Sequence, residues 1–268
     1  MREDAFFKET SRKVLDMDGE PIEFPILYYD FRFIMGTFTA KTNRLKKLLP
    51  HPNFKPIEIW PGTGMLGITA FEYNDTSIGS YNEVGIGIPI KFPPGLVFPG
   101  LSAIAMMRKN IFPIYIHHLP VTTEIALKGG IYFYNYPKFL AEITFQDLEE
   151  NLEVTLKEKD DLILKIYARK LPLKKANRFE FHTYSVKENM VMHTLIEGWA
   201  PRLGKMMMGN IAELELGEHR ISKELADLNM SKAARSGLYG EGVMTKLHEP
   251  DQRWNVDSLE IISGQSNV

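Results

Sequence analysis

The amino-acid sequence predicts a β-rich α+β fold: a single domain with an antiparallel barrel-like sheet and a few short helices. Three observations carry this. Most apolar stretches alternate with period two, helical periodicity is confined to two short segments, and no strand-then-helix repeat runs along the chain.

In chain order, alternating patterns bounded by turn residues predict strands over 26–39, 56–60, 66–73, 84–92, 114–116, 121–127, 139–145, 178–186, 191–197 and 211–216. The two runs 152–156 and 162–167 flank the charged segment 157–161, the pattern of a hairpin with a solvated turn. A first helix is expected over 41–49, where Leu45, Leu48 and Leu49 share a face ahead of Pro50. A second is expected over 222–228, where Leu225 and Leu228 recur at helical spacing. The Pro/Gly-rich segment 91–100 is apolar and reads as a packed loop or lid.

With 268 residues, 44% hydrophobic and 25% charged, the chain has the composition of a globular protein with a sizeable core. No internal repeat, low-complexity tract or linker divides it, so residues 1–268 are read as one domain with 1–20 and 247–268 peripheral. Lys and Arg number 32 against 34 Asp and Glu, a net charge of −2, which provides no global field for a nucleic acid or an anionic membrane. The absence of cysteine excludes disulfides, thiolate metal sites and a cysteine nucleophile. No apolar leader is seen, and the weakly polar run 94–107 is too short to span a bilayer. A soluble, cytoplasmic, unprocessed chain is expected.

Several motifs compete for attention. Gly62-Thr63-Gly64-Met65-Leu66-Gly67 has the G-x-G-x-x-G spacing, but a strand pattern follows it where a dinucleotide fold needs a helix, so it reads as a turn between strands. The glycine-rich 237–242 likewise reads as a turn. His117 and His118, adjacent on a strand, would point to opposite faces and could not share one metal from that element. His182 and His193 lie on separate strands. Neither a metal nor another cofactor is expected. Met206-Met207-Met208 fits an adaptable apolar surface, a lid or a filled core gap.

The segment Gly129-Gly130-Ile131-Tyr132-Phe133-Tyr134-Asn135-Tyr136-Pro137-Lys138-Phe139 is different in kind. It sets a lysine after a proline that restricts the backbone, amid five aromatic rings that can exclude water from the amine. A lysine at the bend into a strand ordinarily points outward, so spacing leaves a surface lysine and a chemical one both open.

This stretch resembles the active-site segment of the acetoacetate decarboxylase family, in which a Tyr/Phe-Pro-Lys element carries a Schiff-base lysine. Asn74 to Glu83, followed by Ile88-Pro89-Ile90, is similar to the family segment whose glutamate lines the same pocket. Weaker likenesses are the basic-apolar helix 41–50 and the tail 213–246. The resemblance implies that Lys138 is the nucleophile and Glu83 the general acid/base or pocket carboxylate. Tyr132, Tyr136 and Phe139 would then belong to the substrate pocket. Phe139 stands where the decarboxylase has a second, activating lysine. The arginine expected to hold the substrate carboxylate falls at Thr39, and a further pocket glutamate at Thr69. Arg32 on the same strand is the candidate replacement for the lost arginine.

An unperturbed lysine is neutral in about four molecules in ten thousand at pH 7, so a nucleophilic lysine needs surroundings that favour the free amine. The function the resemblance implies is a Schiff-base lyase, of the carboxy-lyase type, acting on a small-molecule β-keto acid or related ketone. The alternatives are an imine-forming aldolase or dehydratase on the same scaffold, and a non-catalytic barrel binding a small apolar ligand. The resemblance also implies a homo-oligomer, with the apolar segments 95–107 and 199–208 as candidate interfaces.

Overall fold

The computed structural model describes residues 4–175 and 178–261. A short helix α1 (Ala5–Lys8) and the hairpin β1 (Lys13–Met17) and β2 (Glu20–Phe24) precede the first long strand, β3 (Ile26–Lys41). Helix α2 (Thr42–Leu48) follows, then β4 (Lys55–Pro56), β5 (Glu58–Trp60), β6 (Thr63–Thr76) and β7 (Tyr81–Lys91). Helix α3 (Leu101–Lys109) leads into β8 (Ile111–His118), and α4 (Glu124–Tyr134) comes next. Strands β9 (Glu142–Leu148), β10 (Asn151–Glu158) and β11 (Asp161–Arg169) form a meander. The chain returns through β12 (Arg178–Lys187), β13 (Met190–Trp199), β14 (Arg202–Met206), β15 (Ala212–Leu216), α5 (Arg220–Asp227) and β16 (Ser236–Asn255).

Seven strands close a barrel in the order β7-β8-β12-β13-β16-β3-β6, with β6 pairing back onto β7. The β-rich, barrel-centred expectation holds. One pair departs from it: β12 lies parallel to β8, and the intervening chain builds β9, β10 and β11 of the second sheet, to which β15 is added later in the order β15-β11-β10-β9.

Alternation along the strands sorts the side chains into two cores. On β3, β6 and β7 the even-numbered Ile34, Phe38, Leu66, Ile68, Ala70, Val84, Ile86, Ile88 and Ile90 face outward, into a core shared with Leu152, Val154, Leu164 and Ile166 of the second sheet. The odd-numbered Phe31, Phe33, Thr69, Phe71, Tyr73 and Glu83 face the barrel interior. Because both faces are covered, the strands carry apolar residues at both parities over much of their length.

Several sequence expectations are corrected. Residues 121–127 do not form a strand; Val121 makes single bridges to Glu83 and Leu140, and α4 begins at Glu124. The alternation there was too short to separate strand from helix. The strand expected over 139–145 starts at Glu142, because Phe139–Ala141 is occupied in backbone bonds to Val121. The glycines at 237–242 lie within β16, where Gly242 has φ +65° beside a bulge. A Cβ at 237 would lie 2.3 Å from the Met35 carbonyl oxygen, so this glycine permits close strand approach rather than a reversal. Residues 247–255, expected to be peripheral, pair with β13 and complete the barrel. At the other end, Phe6 and Phe7 are buried against Tyr29, Trp199, Leu27 and Met244. The loop after β7 exposes Leu96 and Phe98 instead of packing them.

Candidate active site

Lys138 owes its position to the end of α4. Asn135 takes a left-handed conformation (φ +49°), and the N–H groups of Asn135 and Tyr136 donate back to Ile131 and Gly130, closing the helix with a reversal. Pro137 then gives the chain its direction. Its carbonyl accepts the Leu119 N–H at 3.1 Å, and the Phe139 carbonyl accepts the Val121 N–H at 3.0 Å. Val121 also bridges to Glu83 on its other side. Three chain segments, around residues 83, 121 and 139, are thus locked side by side around one backbone position.

That lock sets the Lys138 Nζ at 2.5 Å from Glu83 Oε2. Both side chains are nearly out of solvent, at 6% and 9% exposure, so the pair lies inside the barrel and not on its surface. Tyr73 donates its hydroxyl to the other carboxylate oxygen at 3.3 Å, and the Tyr81 ring centroid is 6.0 Å from the lysine amine. Tyr28 and Tyr81 share a hydrogen bond of 2.9 Å, and Tyr136 is bonded to Thr183 at 2.6 Å. Burial raises the phenols of Tyr28, Tyr73, Tyr81 and Tyr136, and the negative charge of Glu83 raises each further. They are protonated hydrogen-bonding groups across the ordinary pH range. Tyr134, stacked on Tyr136 at 5.0 Å, has a buried hydroxyl with no partner among the described residues.

Around the pair is a cavity of about 540 Å³. Its lining is dominated by aromatic and aliphatic side chains, among them Phe31, Phe33, Phe71, Ile114, Ile116 and Phe181. Its charged lining residues are Glu83, Lys138, Arg108 and Lys205, and the last two are exposed residues that mark where it opens. Met106, Met107, Met206 and Met207 also line it.

The sequence-predicted site residues therefore divide. Lys138, Glu83, Tyr136 and Thr69 meet in the cavity. Arg32 does not: its even position on β3 turns it outward, where it pairs with Glu72 and, at 2.8 Å, with Asp147 of the second sheet. Thr39 has the inward parity but lies near the end of β3, where its backbone exchanges bonds with Ser231, and Thr37 lines the cavity instead. Tyr132 is on the exposed side of α4 at 38%. Phe139 follows Lys138 and therefore faces the opposite way, against the core between barrel and second sheet. A cation at 139 would enter that core instead of neighbouring the amine.

Sequence reasoning missed Gly130. A Cβ there would sit 2.3 Å from both Cδ and Cε of Lys138, so the lysine stem lies in the notch this glycine leaves in α4. The doubled Gly129-Gly130 inside an apolar segment was the available signal. It also missed Tyr28, Tyr73, Tyr81 and Val121, whose involvement depends on strand register.

The histidines differ from expectation as well. β8 carries an extra residue at His117, since Ile86 pairs with His118 and Gly87 with Ile116. The bulge lets Ile116 and Leu119 line the cavity and turns both His117 and His118 toward Glu224 of α5. His182 and His193 meet across adjacent strands at 2.9 Å, flanked by Glu180 and Asp251.

Comparison with known proteins now adds to this geometry. The family model described as acetoacetate decarboxylase (ADC) matches residues 17–253. No curated protein sequence matches the chain. Among solved structures, one described as acetoacetate decarboxylase is 17% identical with a TM-score of 0.58, covering 89% of each chain. The acetoacetate decarboxylase of Legionella pneumophila subsp. pneumophila str. Philadelphia 1 is 13% identical with a TM-score of 0.60, over 96% of this chain and 93% of that one. The enduracididine biosynthesis enzyme MppR, complexed with the condensation product of pyruvate and imidazole 4-carboxaldehyde, is 9% identical with a TM-score of 0.58, over 91% and 97%.

Proposed function

The chain belongs to the acetoacetate decarboxylase family, and on that premise we propose that it is a Schiff-base-forming lyase with Lys138 as nucleophile and Glu83 as its proton partner. The observation that carries this reading is the buried 2.5 Å pair in a cavity lined mainly by aromatic and aliphatic side chains. Two desolvated opposite charges seldom add stability over an apolar pair, so their retention in a cavity large enough for a ligand points to chemistry.

In the proposed reaction the ammonium gives its proton to Glu83, and the free amine adds to a substrate carbonyl carbon. The carbinolamine loses water, with Glu83 returning the proton to the departing oxygen, and a protonated imine forms. Electrons from a bond at the neighbouring carbon then flow into the imine. Loss of carbon dioxide from a β-keto acid, or removal of a proton by Glu83, gives an enamine; protonation of its carbon restores the imine, and water then adds to release product and lysine. Tyr73 holds the carboxylate while it carries the proton.

The lining defines the substrate more narrowly than the lysine does. Burial of an apolar body of several carbons is favoured by about 0.8 kcal/mol per CH₂, and the interior cation is the nucleophile itself. We therefore assign a ketone or aldehyde with an aromatic or branched apolar body, its second oxygen placed to accept from the unpartnered Tyr134 hydroxyl. Aldol or dehydration chemistry on the imine is favoured over decarboxylation by one observation: Arg32 lies outside the cavity, and among the described residues the lining arginine is Arg108 at its opening, not beside Lys138.

Borohydride reduction in the presence of keto acids and of aromatic and aliphatic ketones tests the reading. The expected result is a substrate-mass adduct on the peptide containing Lys138; adducts only on other lysines would overturn it. Arg32→Ala is expected to leave the trapping of keto acids unchanged within about twofold, because the side chain is paired on the outer face of the barrel, away from the cavity. Tyr134→Phe is expected to raise KM at least about fivefold while thermal stability holds or rises, because it deletes a buried hydroxyl without a partner. Assembly as a homo-oligomer through the exposed Leu96, Phe98, Leu101 and Met208 is part of the same reading. Light scattering at micromolar concentration should give a multiple of the chain mass.

A further inference from the structure

Outside the cavity, the bulge at the end of β8 and helix α5 build a second chemical cluster. His117 Nε2 lies 2.8 Å and His118 Nε2 2.9 Å from the same oxygen, Oε1 of Glu224. One donor atom from each of the three residues lies within 4.8 Å of the other two. The imidazoles are 12% and 11% exposed and the carboxylate 33%, so the cluster is sheltered on the histidine side and open to water on the other.

Its scaffold is firm. Glu224 stands between Ile221 and Leu225, both buried in the core between barrel and second sheet. Ser222 donates to the Ile163 carbonyl at 2.6 Å, and His219 caps the first turn of α5 while bonded to Glu158 at 2.8 Å. On the other side, the bulge holds two consecutive imidazoles on one face of the strand.

We propose that His117, His118 and Glu224 form a binding site for a divalent transition metal of the zinc class. Two imidazole nitrogens and one carboxylate oxygen make a ligand set used for zinc and for other first-row metals. In a tetrahedral zinc site the ligand atoms lie about 3.3 Å apart, given metal–ligand distances of about 2.0–2.1 Å. The two imidazoles need to withdraw from the carboxylate oxygen by only about half an ångström to admit an ion on that basis. Water completes the coordination from the open side. A neutral imidazole that now donates to Glu224 through Nε2 would ligate by exchanging that proton for one on Nδ1, a change of tautomer that frees the Nε2 lone pair.

The site is separate from the proposed chemistry but mechanically tied to it. Leu119, the residue after His118, donates its N–H to the Pro137 carbonyl, next to Lys138. A metal at the bulge would hold the end of β8 and with it the segment that presents the lysine.

The test uses the whole chain, dialysed against chelator and titrated calorimetrically with zinc(II), and in parallel with cobalt(II) followed by its visible absorption. The expected result is one equivalent bound per chain with intense tetrahedral-type cobalt bands, and a rise in Tm with zinc. His117→Gln, His118→Gln and Glu224→Gln retain hydrogen-bonding side chains and should each weaken binding at least about 30-fold. No saturable binding up to 1 mM metal by the wild-type chain would overturn the proposal, as would equal affinity in all three variants. Borohydride trapping at Lys138 in the metal-free chain keeps this result distinct from the fate of the Schiff-base reading.

Discussion

Lys138→Met is expected to abolish the borohydride-trapped adduct, and Glu83→Gln to lower the rate of imine formation by about 10²–10⁴-fold, the range for loss of a positioned acid–base group. The two single variants should also be much less stable than the wild type. With 6% and 9% exposure, each partner is left buried opposite a neutral group when the other is changed, a loss of about 3–5 kcal/mol for a buried pair broken on one side. The double variant Lys138→Met, Glu83→Gln removes both charges and should recover most of that stability while remaining inactive. Denaturant midpoints measured on all three, together with mass spectrometry of the trapped peptide, check this. Single variants as stable as wild type would show that the pair is solvated in solution and that the cavity does not enforce it.

Gly130→Ala is expected to remove activity without changing either member of the pair. In the interior of α4, alanine gains about 0.5–1 kcal/mol over glycine from helix propensity alone. Its Cβ, however, would fall 2.3 Å from Cδ and Cε of Lys138, a distance no methyl and methylene can share. The lysine stem is the flexible partner, so it is the part that moves, and the amine leaves its seat beside Glu83. Imine formation should fall by about 10²-fold or more, the cost of misplacing a reacting group by about 1 Å. The thermal midpoint should fall as well, because displacing the amine from Glu83 opens the buried pair, a loss of about 3–5 kcal/mol that exceeds the gain in helix propensity. An active Gly130→Ala chain would mean that the lysine reaches the substrate from another rotamer.

How much of this was legible beforehand can be read residue by residue. Strand-length apolar stretches bounded by turn residues placed β3, β6, β7, β12 and β13 within a few residues, although coverage of both faces blurs the alternation within them. Alternation did not separate 121–127 from helix, since seven residues span too few turns to distinguish the two periods. Lys138 and Glu83 were found through the Tyr-Pro-Lys and Asn-to-Glu segments, whose likeness to a known family is local in sequence. Arg32, Thr39, Tyr132 and Phe139 were named from the same likeness and lie outside the cavity, because facing is set by parity and by where a strand or helix ends.

The amino-acid sequence by itself determined the strand-rich class, the lack of thiol chemistry, and a lysine among aromatic rings behind a proline. Only the tertiary structure decided that this lysine meets a carboxylate 55 positions away, through the two-sided pairing of Val121. It alone showed that Gly130 makes room for the lysine stem and that a one-residue bulge turns two adjacent histidines to one side. The physical reason is common to all three. Register, helix termination and bulges are fixed by the packing of segments remote in sequence, and a shift of one residue reverses which face a side chain takes.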